Sequence, residues 1–130
     1  MERTSEALRS DMADHISWHV ELQVKPGHMA AFRALTREMV QATKAERGAL
    51  IYERFIADDN EAVHVFERYS DSAAAVAHLR TFAQMYGKRF TDLVDRKHFS
   101  VFGTPTPELR QILDPLGARY FAPLAGFSRG

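Results

Sequence analysis

The chain has 130 residues, 45% of them hydrophobic and none of them cysteine, so it has the length of one domain and can bury a core without disulfide staples. Its 17 basic and 17 acidic side chains cancel, which leaves no broad field to draw it to nucleic acid, an anionic membrane or a polyanionic substrate. The lack of cysteine removes thiolate catalysis and cysteine-ligated metals, and no stretch reads as a signal peptide or a membrane span, so a soluble cytoplasmic protein is expected.

Residues 1–14 read as a polar extension that is frayed or partly helical. From His15 to Val24 the alternation is clean: Ile16, Trp18, Val20, Leu22 and Val24 point one way, and His15, Ser17, His19, Glu21 and Gln23 the other, which predicts a first strand. Pro26-Gly27 turns the chain. Phe32, Leu35, Met39 and Val40 then recur at helical spacing, predicting a helix over Met29 to Glu46 that Gly48 closes.

Leu50 to Ala57 and Ala62 to Tyr69 are two runs rich in β-branched and aromatic residues, separated by Asp58-Asp59-Asn60-Glu61. They predict an antiparallel hairpin. With Ala57 facing Ala62, Glu53 lies opposite Phe66 and diagonal to His64 and Arg68, while Arg54 lies opposite Val65 and diagonal to Glu67. Each face of the hairpin then mixes apolar bulk with an ion pair, unlike a sheet that has one wet face.

Ser70-Asp71-Ser72 supplies N-cap chemistry for a second helix. Its apolar face runs through Val76, Leu79, Ala83, Tyr86, Phe90 and Leu93, with Gly87 as a break into two pieces. Lys97 to Gly103 alternates again and predicts a fourth strand. Thr106-Pro107-Glu108 starts a short helical turn, and Ala118 to Ser128 reads as an edge strand or an arm that docks Tyr120, Phe121, Leu124 and Phe127 on a surface.

The order strand, helix, strand, strand, helix, strand over residues 15–103 is the α+β, ferredoxin-like βαββαβ arrangement, with residues 104–130 as a C-terminal helix and arm. Two helices cover one face of such an antiparallel sheet. The other face, where Val, Ile, Phe and Tyr are interleaved with charges, calls for a second copy, so a homodimer closing into a barrel is expected, with a separate apolar cavity between helices and sheet in each chain.

The order of elements, Val-Lys-Pro-Gly at 24–27, Tyr-Glu at 52–53, Phe-Glu-Arg-Tyr-Ser-Asp at 66–71 and Ala-His-Leu at 77–79 resemble the antibiotic-biosynthesis monooxygenase (ABM) superfamily of dimeric α/β barrels. Two positions depart from its pattern: Tyr69 stands where the family often has Trp, and Ala83 stands near a second helix histidine. The resemblance implies cofactor-independent oxidation of a small aromatic or hydroquinone substrate by dioxygen, which requires a dry aromatic pocket, a base and a donor to the substrate oxygen. A dimeric barrel that binds a small hydrophobic metabolite without catalysis is the alternative, because one fold hosts several functions.

For that chemistry His78, one turn before Phe82, is the candidate base, against a half-exposed idle histidine on the helix shoulder. Tyr86 is a second candidate catalytic group. Trp18, Tyr52, Phe82 and Phe90 are candidate walls of the substrate pocket, against ordinary core. Glu53, Arg54, Glu67 and Arg68 read as a structural polar network that fixes the dimer register. The chain contains six histidines, yet His15 and His19 are roughly 13 Å apart along one strand, and His64 and His98 could meet across the sheet only in a favourable register. No metal site is expected on that spacing. The Asn and Trp that haem-degrading relatives pair with a helix histidine have no equivalents either, so the expected cofactor is none.

Overall fold

The computed structural model describes residues 14–129; the polar extension read at residues 1–14 lies almost wholly outside them. Strand β1 (Ile16–Val24) runs through the middle of the fold. Helix α1 (Met29–Thr43) follows, then strands β2 (Ala49–Ile56) and β3 (Ala62–Tyr69), helices α2 (Ser72–Met85) and α3 (Gly87–Leu93), strand β4 (Val94–Phe102), helix α4 (Pro107–Leu113), a 3-10 turn (Asp114–Leu116) and strand β5 (Arg119–Phe121). The sheet order is β2-β3-β1-β4-β5, with every pairing antiparallel except β4 with β5. This is the ferredoxin-like α+β fold expected from the order of elements, extended by one short strand. Among the described residues no helix is long and apolar enough to cross a membrane.

The alternation in β1 is realised along its whole length: Ile16, Trp18, Val20, Leu22 and Val24 are buried and the residues between them are not. They meet Val63, Val65 and Tyr69 of β3, Phe99 and Val101 of β4, Phe32 of α1 and Val76 of α2 in one core. Full burial of side chains this size stabilises by roughly 1.5–3 kcal/mol each. The segment after Gly103 belongs to the same core, since Leu109 and Leu113 of α4 are completely sequestered in it. Thr106 caps α4 by accepting the Leu109 amide at 3.3 Å, and Asp71 caps α2 by accepting the Ala74 amide at 2.8 Å.

The hairpin register is the expected one, with Glu53 opposite Phe66 and Arg54 opposite Val65. Helix α1 ends three residues early because its last turn tightens: the Ala45 amide donates to Ala42 and the Glu46 amide to Thr43, both i to i−3 bonds. Strand β4 begins three residues before the expected start. Glu21 pairs with His98 and Leu22 with Arg96, so Lys97 is the extra residue of a β-bulge.

The C-terminal arm forms β5 beside β4, with Ser100 to Phe102 paired to Arg119 to Phe121. The docking expected of four large apolar residues holds for Tyr120, which packs against the core, whereas Phe121 stays 37% exposed beside Phe102, and Leu124 and Phe127 are 98% and 77% exposed. Pro123 has no amide hydrogen to continue the ladder, and the chain leaves the sheet there.

All four helices lie on the covered side of the sheet. The other side carries Phe55, Phe66, Phe102 and Phe121, each between 37% and 54% exposed. His19 stacks on Phe66 at 4.8 Å, and Phe102 lies 5.5 Å from Phe121.

Candidate functional site

Between the covered side of the sheet and α2, α3 and α4 lies a cavity of about 390 Å³, walled by Trp18, Val65, Phe82, Phe90 and Phe99 and bordered by the polar side chains of His78, Glu67 and Arg54. Its size suits a small aromatic molecule, and an apolar wall with a few convergent polar groups is the usual form of a ligand site. Of the expected pocket walls, Trp18, Phe82 and Phe90 line it, with the Phe82 and Phe90 rings meeting edge to face at 5.2 Å.

His78 lies on the second turn of α2 and is only 5% exposed, which removes the half-exposed alternative. Its Nδ1 is 2.9 Å from Glu46 Oε1, and its Nε2 is 3.6 Å from Glu67 Oε1. A carboxylate at Nδ1 favours the tautomer that carries its proton on that nitrogen. Sequence reasoning missed Glu46, because its reach depends on the tightened turn that ends α1. Gly48 lets α2 come close to that turn: a Cβ on Gly48 would sit 2.5 Å from the Ala74 Cβ.

Glu67 is the hub of the buried polar groups. One carboxylate oxygen accepts from Arg54 Nη2 at 2.7 Å and the other from the Tyr69 hydroxyl at 2.5 Å. Burial and the adjacent Glu67 charge push the Tyr69 phenol far above its ordinary range. The Arg54 guanidinium covers the Tyr52 ring at 3.5 Å. Burial raises the Tyr52 phenol to about 12, with the Arg54 charge opposing. Arg54 Nη1 is buried without a hydrogen-bond partner among the described residues, leaving a spare donor on a residue that borders the cavity. It also borders a smaller cavity beside Thr36, whose Oγ1 is likewise unpartnered.

The expected network of four charges is therefore half realised. Arg54 and Glu67 pair, whereas Glu53 and Arg68 lie on the opposite side of the sheet, where Glu53 is exposed and Arg68 Nε donates to Ser17 Oγ at 2.8 Å. The strand alternation separates the two pairs, and Ser17 on β1 is the direct neighbour of Arg68. Tyr52 packs edge-on against His78 at 5.5 Å from outside the cavity. Tyr86 is buried with Leu35 and Met39 and does not line the cavity.

A second polar cluster stands on the uncovered side. His64 and His98 flank Glu21 from β3 and β4, and His19 Nε2 is 2.8 Å from His64 Nδ1. The register that sets His64 and His98 on either side of Glu21 is the favourable one that spacing along the chain could not supply, and the cluster forms across three strands.

The family model for antibiotic biosynthesis monooxygenase matches residues 16–96. Among solved structures, MupZ from Pseudomonas fluorescens is similar over 88% of this chain and 94% of its own, with a TM-score of 0.78 and 24% identity. A conserved protein from Methanosarcina mazei is similar over 74% of this chain and 98% of its own, with a TM-score of 0.65 and 17% identity. SnoaB, a cofactor-independent oxygenase from Streptomyces nogalater, is similar over 72% of this chain and 95% of its own, with a TM-score of 0.61 and 13% identity. At these identities the likeness is one of fold. A search of curated proteins by sequence found no match. With strands β1 to β3, the helices between and after them and the start of β4 all inside the matched span, the chain belongs to the antibiotic biosynthesis monooxygenase family.

Proposed function

We propose that this chain is a cofactor-independent monooxygenase that oxidises a small phenol or hydroquinone with dioxygen in the cavity beside His78. The observation that carries the reading is the buried imidazole at the cavity wall, fixed by Glu46 at Nδ1, with Nε2 3.6 Å from Glu67 Oε1. Nε2 takes the phenolic proton, and the resulting imidazolium carries its charge between the Glu46 and Glu67 carboxylates. The phenolate passes one electron to dioxygen; the radical pair joins through a new carbon–oxygen bond. Loss of water then leaves the quinone, so one phenol and one dioxygen give one quinone and one water. The spare Arg54 N–H is a donor for the substrate oxygen as its charge develops. The likeness of fold to SnoaB, a cofactor-independent oxygenase, is consistent with this chemistry.

The working form is a homodimer in which two uncovered sheet faces press together. The four phenylalanines left open on that face support it, because a patch of this kind is rarely left in water. Light scattering at micromolar concentration tests it, and a mass of one chain overturns it.

The enzyme reading is tested by oxygen uptake with a panel of hydroquinones and polyphenols, comparing wild type with His78→Ala. Uptake with at least one member, reduced about 100-fold or more in the variant, is expected. Uptake equal to buffer across the panel overturns it. Quenching of Trp18 fluorescence by the same compounds without uptake would establish instead the non-catalytic binder of a small hydrophobic metabolite, which the apolar wall around Trp18 also fits.

A further inference from the structure

The uncovered side of the sheet carries a ligand set that the oxygenase chemistry does not use. His19 and Glu21 are two apart on β1 and so share a side. His64 stands directly across from Glu21 on β3, one step diagonal from His19. One ligand atom from each of His19, Glu21 and His64 can be chosen so that all three lie within 4.8 Å of one another. We propose that these three side chains bind a transition-metal dication of the Zn²⁺ class.

Two imidazole nitrogens and one carboxylate oxygen are the donor set of many zinc sites, with the fourth position left to water or a further ligand. His19 Nε2 and His64 Nδ1 are 2.8 Å apart. Two nitrogens bound at ~2.05 Å to a tetrahedral ion stand about 3.3 Å apart, so chelation requires the two nitrogens to part by about half an ångström, the rings to turn their lone pairs onto one ion and the Glu21 oxygen to close in from within 4.8 Å. Zinc binds neutral imidazole. His98 Nε2 lies 3.9 Å from the second Glu21 oxygen, where it orients the carboxylate or supplies the fourth ligand.

The surroundings select the ion. A groove of about 730 Å³ leads to His19, Glu21 and His98 past Arg96, Lys97 and Arg119. A single carboxylate disfavours Ca²⁺ and Mg²⁺, which require several oxygen ligands. Imidazole nitrogen favours zinc, cobalt and nickel. All three ligands come from one chain, so the proposal does not rest on the oxygenase reading; in the homodimer proposed above the same face meets the partner, and the site then lies between the two sheets.

The test uses the full, tag-free, metal-stripped protein. Titration with Co²⁺ followed by visible absorption, and with Zn²⁺ by calorimetry, is expected to give one equivalent per chain. His19→Ala and His64→Ala should each weaken binding about 100-fold, and His28→Ala, an exposed histidine elsewhere, should leave it unchanged. Zinc should raise the unfolding midpoint of wild type and not of the two variants. As a readout that does not depend on variants that fold, the Cu²⁺ form of wild type should show two coupled nitrogens by electron paramagnetic resonance. Absence of saturable binding below about 100 μM, binding that persists in both variants, or a spectrum without nitrogen coupling would each overturn the assignment.

Discussion

His78 and Glu46 are 32 residues apart in sequence, yet the imidazole Nδ1 and the carboxylate Oε1 are 2.9 Å from each other. The contact closes the turn after α1 against the second turn of α2 and aims the other ring nitrogen at Glu67. Glu46 is therefore a positioning residue for the proposed base. Glu46→Ala should lower oxygen uptake with any accepted phenol by about tenfold or more, chiefly in kcat, with ligand affinity by Trp18 quenching little changed. A fall in affinity with kcat intact would assign Glu46 to pocket structure instead.

The Arg54–Glu67 pair is buried and shared with Tyr69. Glu67→Leu strands the guanidinium and the phenol hydroxyl together, and should cost about 3–5 kcal/mol in urea unfolding. Arg54→Met combined with Glu67→Leu should cost clearly less than the sum of the two single changes, because neither charge is then left alone.

Gly48→Ala should destabilise by about 1–3 kcal/mol, since the added methyl falls 2.5 Å from the Ala74 Cβ and the first turn of α2 has to move. The same change moves α2, and His78 with it, relative to Glu46. Thermal unfolding measures the loss, and a midpoint equal to wild type would show that the turn yields freely.

The protein should unfold as pH rises above 10. Tyr52 and Tyr69 keep their protons in the folded chain beyond the ordinary value of 10.0, Tyr52 to about 12. Above pH 10 the unfolded chain has released both protons, so it binds fewer than the folded one, and stability falls with pH. The stabilisation is fully present below pH 10 and is lost at up to about 1.4 kcal/mol per pH unit for each phenol. Tyrosinate absorbance should develop for these two residues together with loss of circular dichroism, and Tyr52→Phe should make the loss shallower.

Leu109→Ala or Leu113→Ala should cost about 2–5 kcal/mol, because both side chains are fully buried in the main core. Ending the chain after Gly103 should prevent folding, although the family match itself stops at residue 96. A cooperatively folded fragment 14–103 would contradict this.

Much of this architecture was legible because it is local. The alternation in β1 and the register of the β2–β3 hairpin follow from period and turn length, and the register carried the Arg54–Glu67 diagonal with it. The start of β4 was not legible: Val94 continues the apolar face of the preceding helix equally well, and Asp95 to His98 hides a strand under four polar residues broken by a bulge. His78 could be picked out by type and place, but Glu46 could not, since a tertiary turn decides its reach. The His19, Glu21 and His64 cluster required knowing that β1 pairs with β3 and in which register, a non-local fact that no spacing within one strand contains.

The short strand β5, ended by Pro123, also decides which rim of the sheet can template another chain. On the β4 side only three residues pair before a proline removes the next donor, so that rim is blunted. Fibril growth by strand addition, should the protein ever be driven to it, would have to begin along β2, the eight-residue strand at the opposite rim. There Glu53 and Arg54 set charged side chains against an in-register stack, so gatekeeping falls to those two residues.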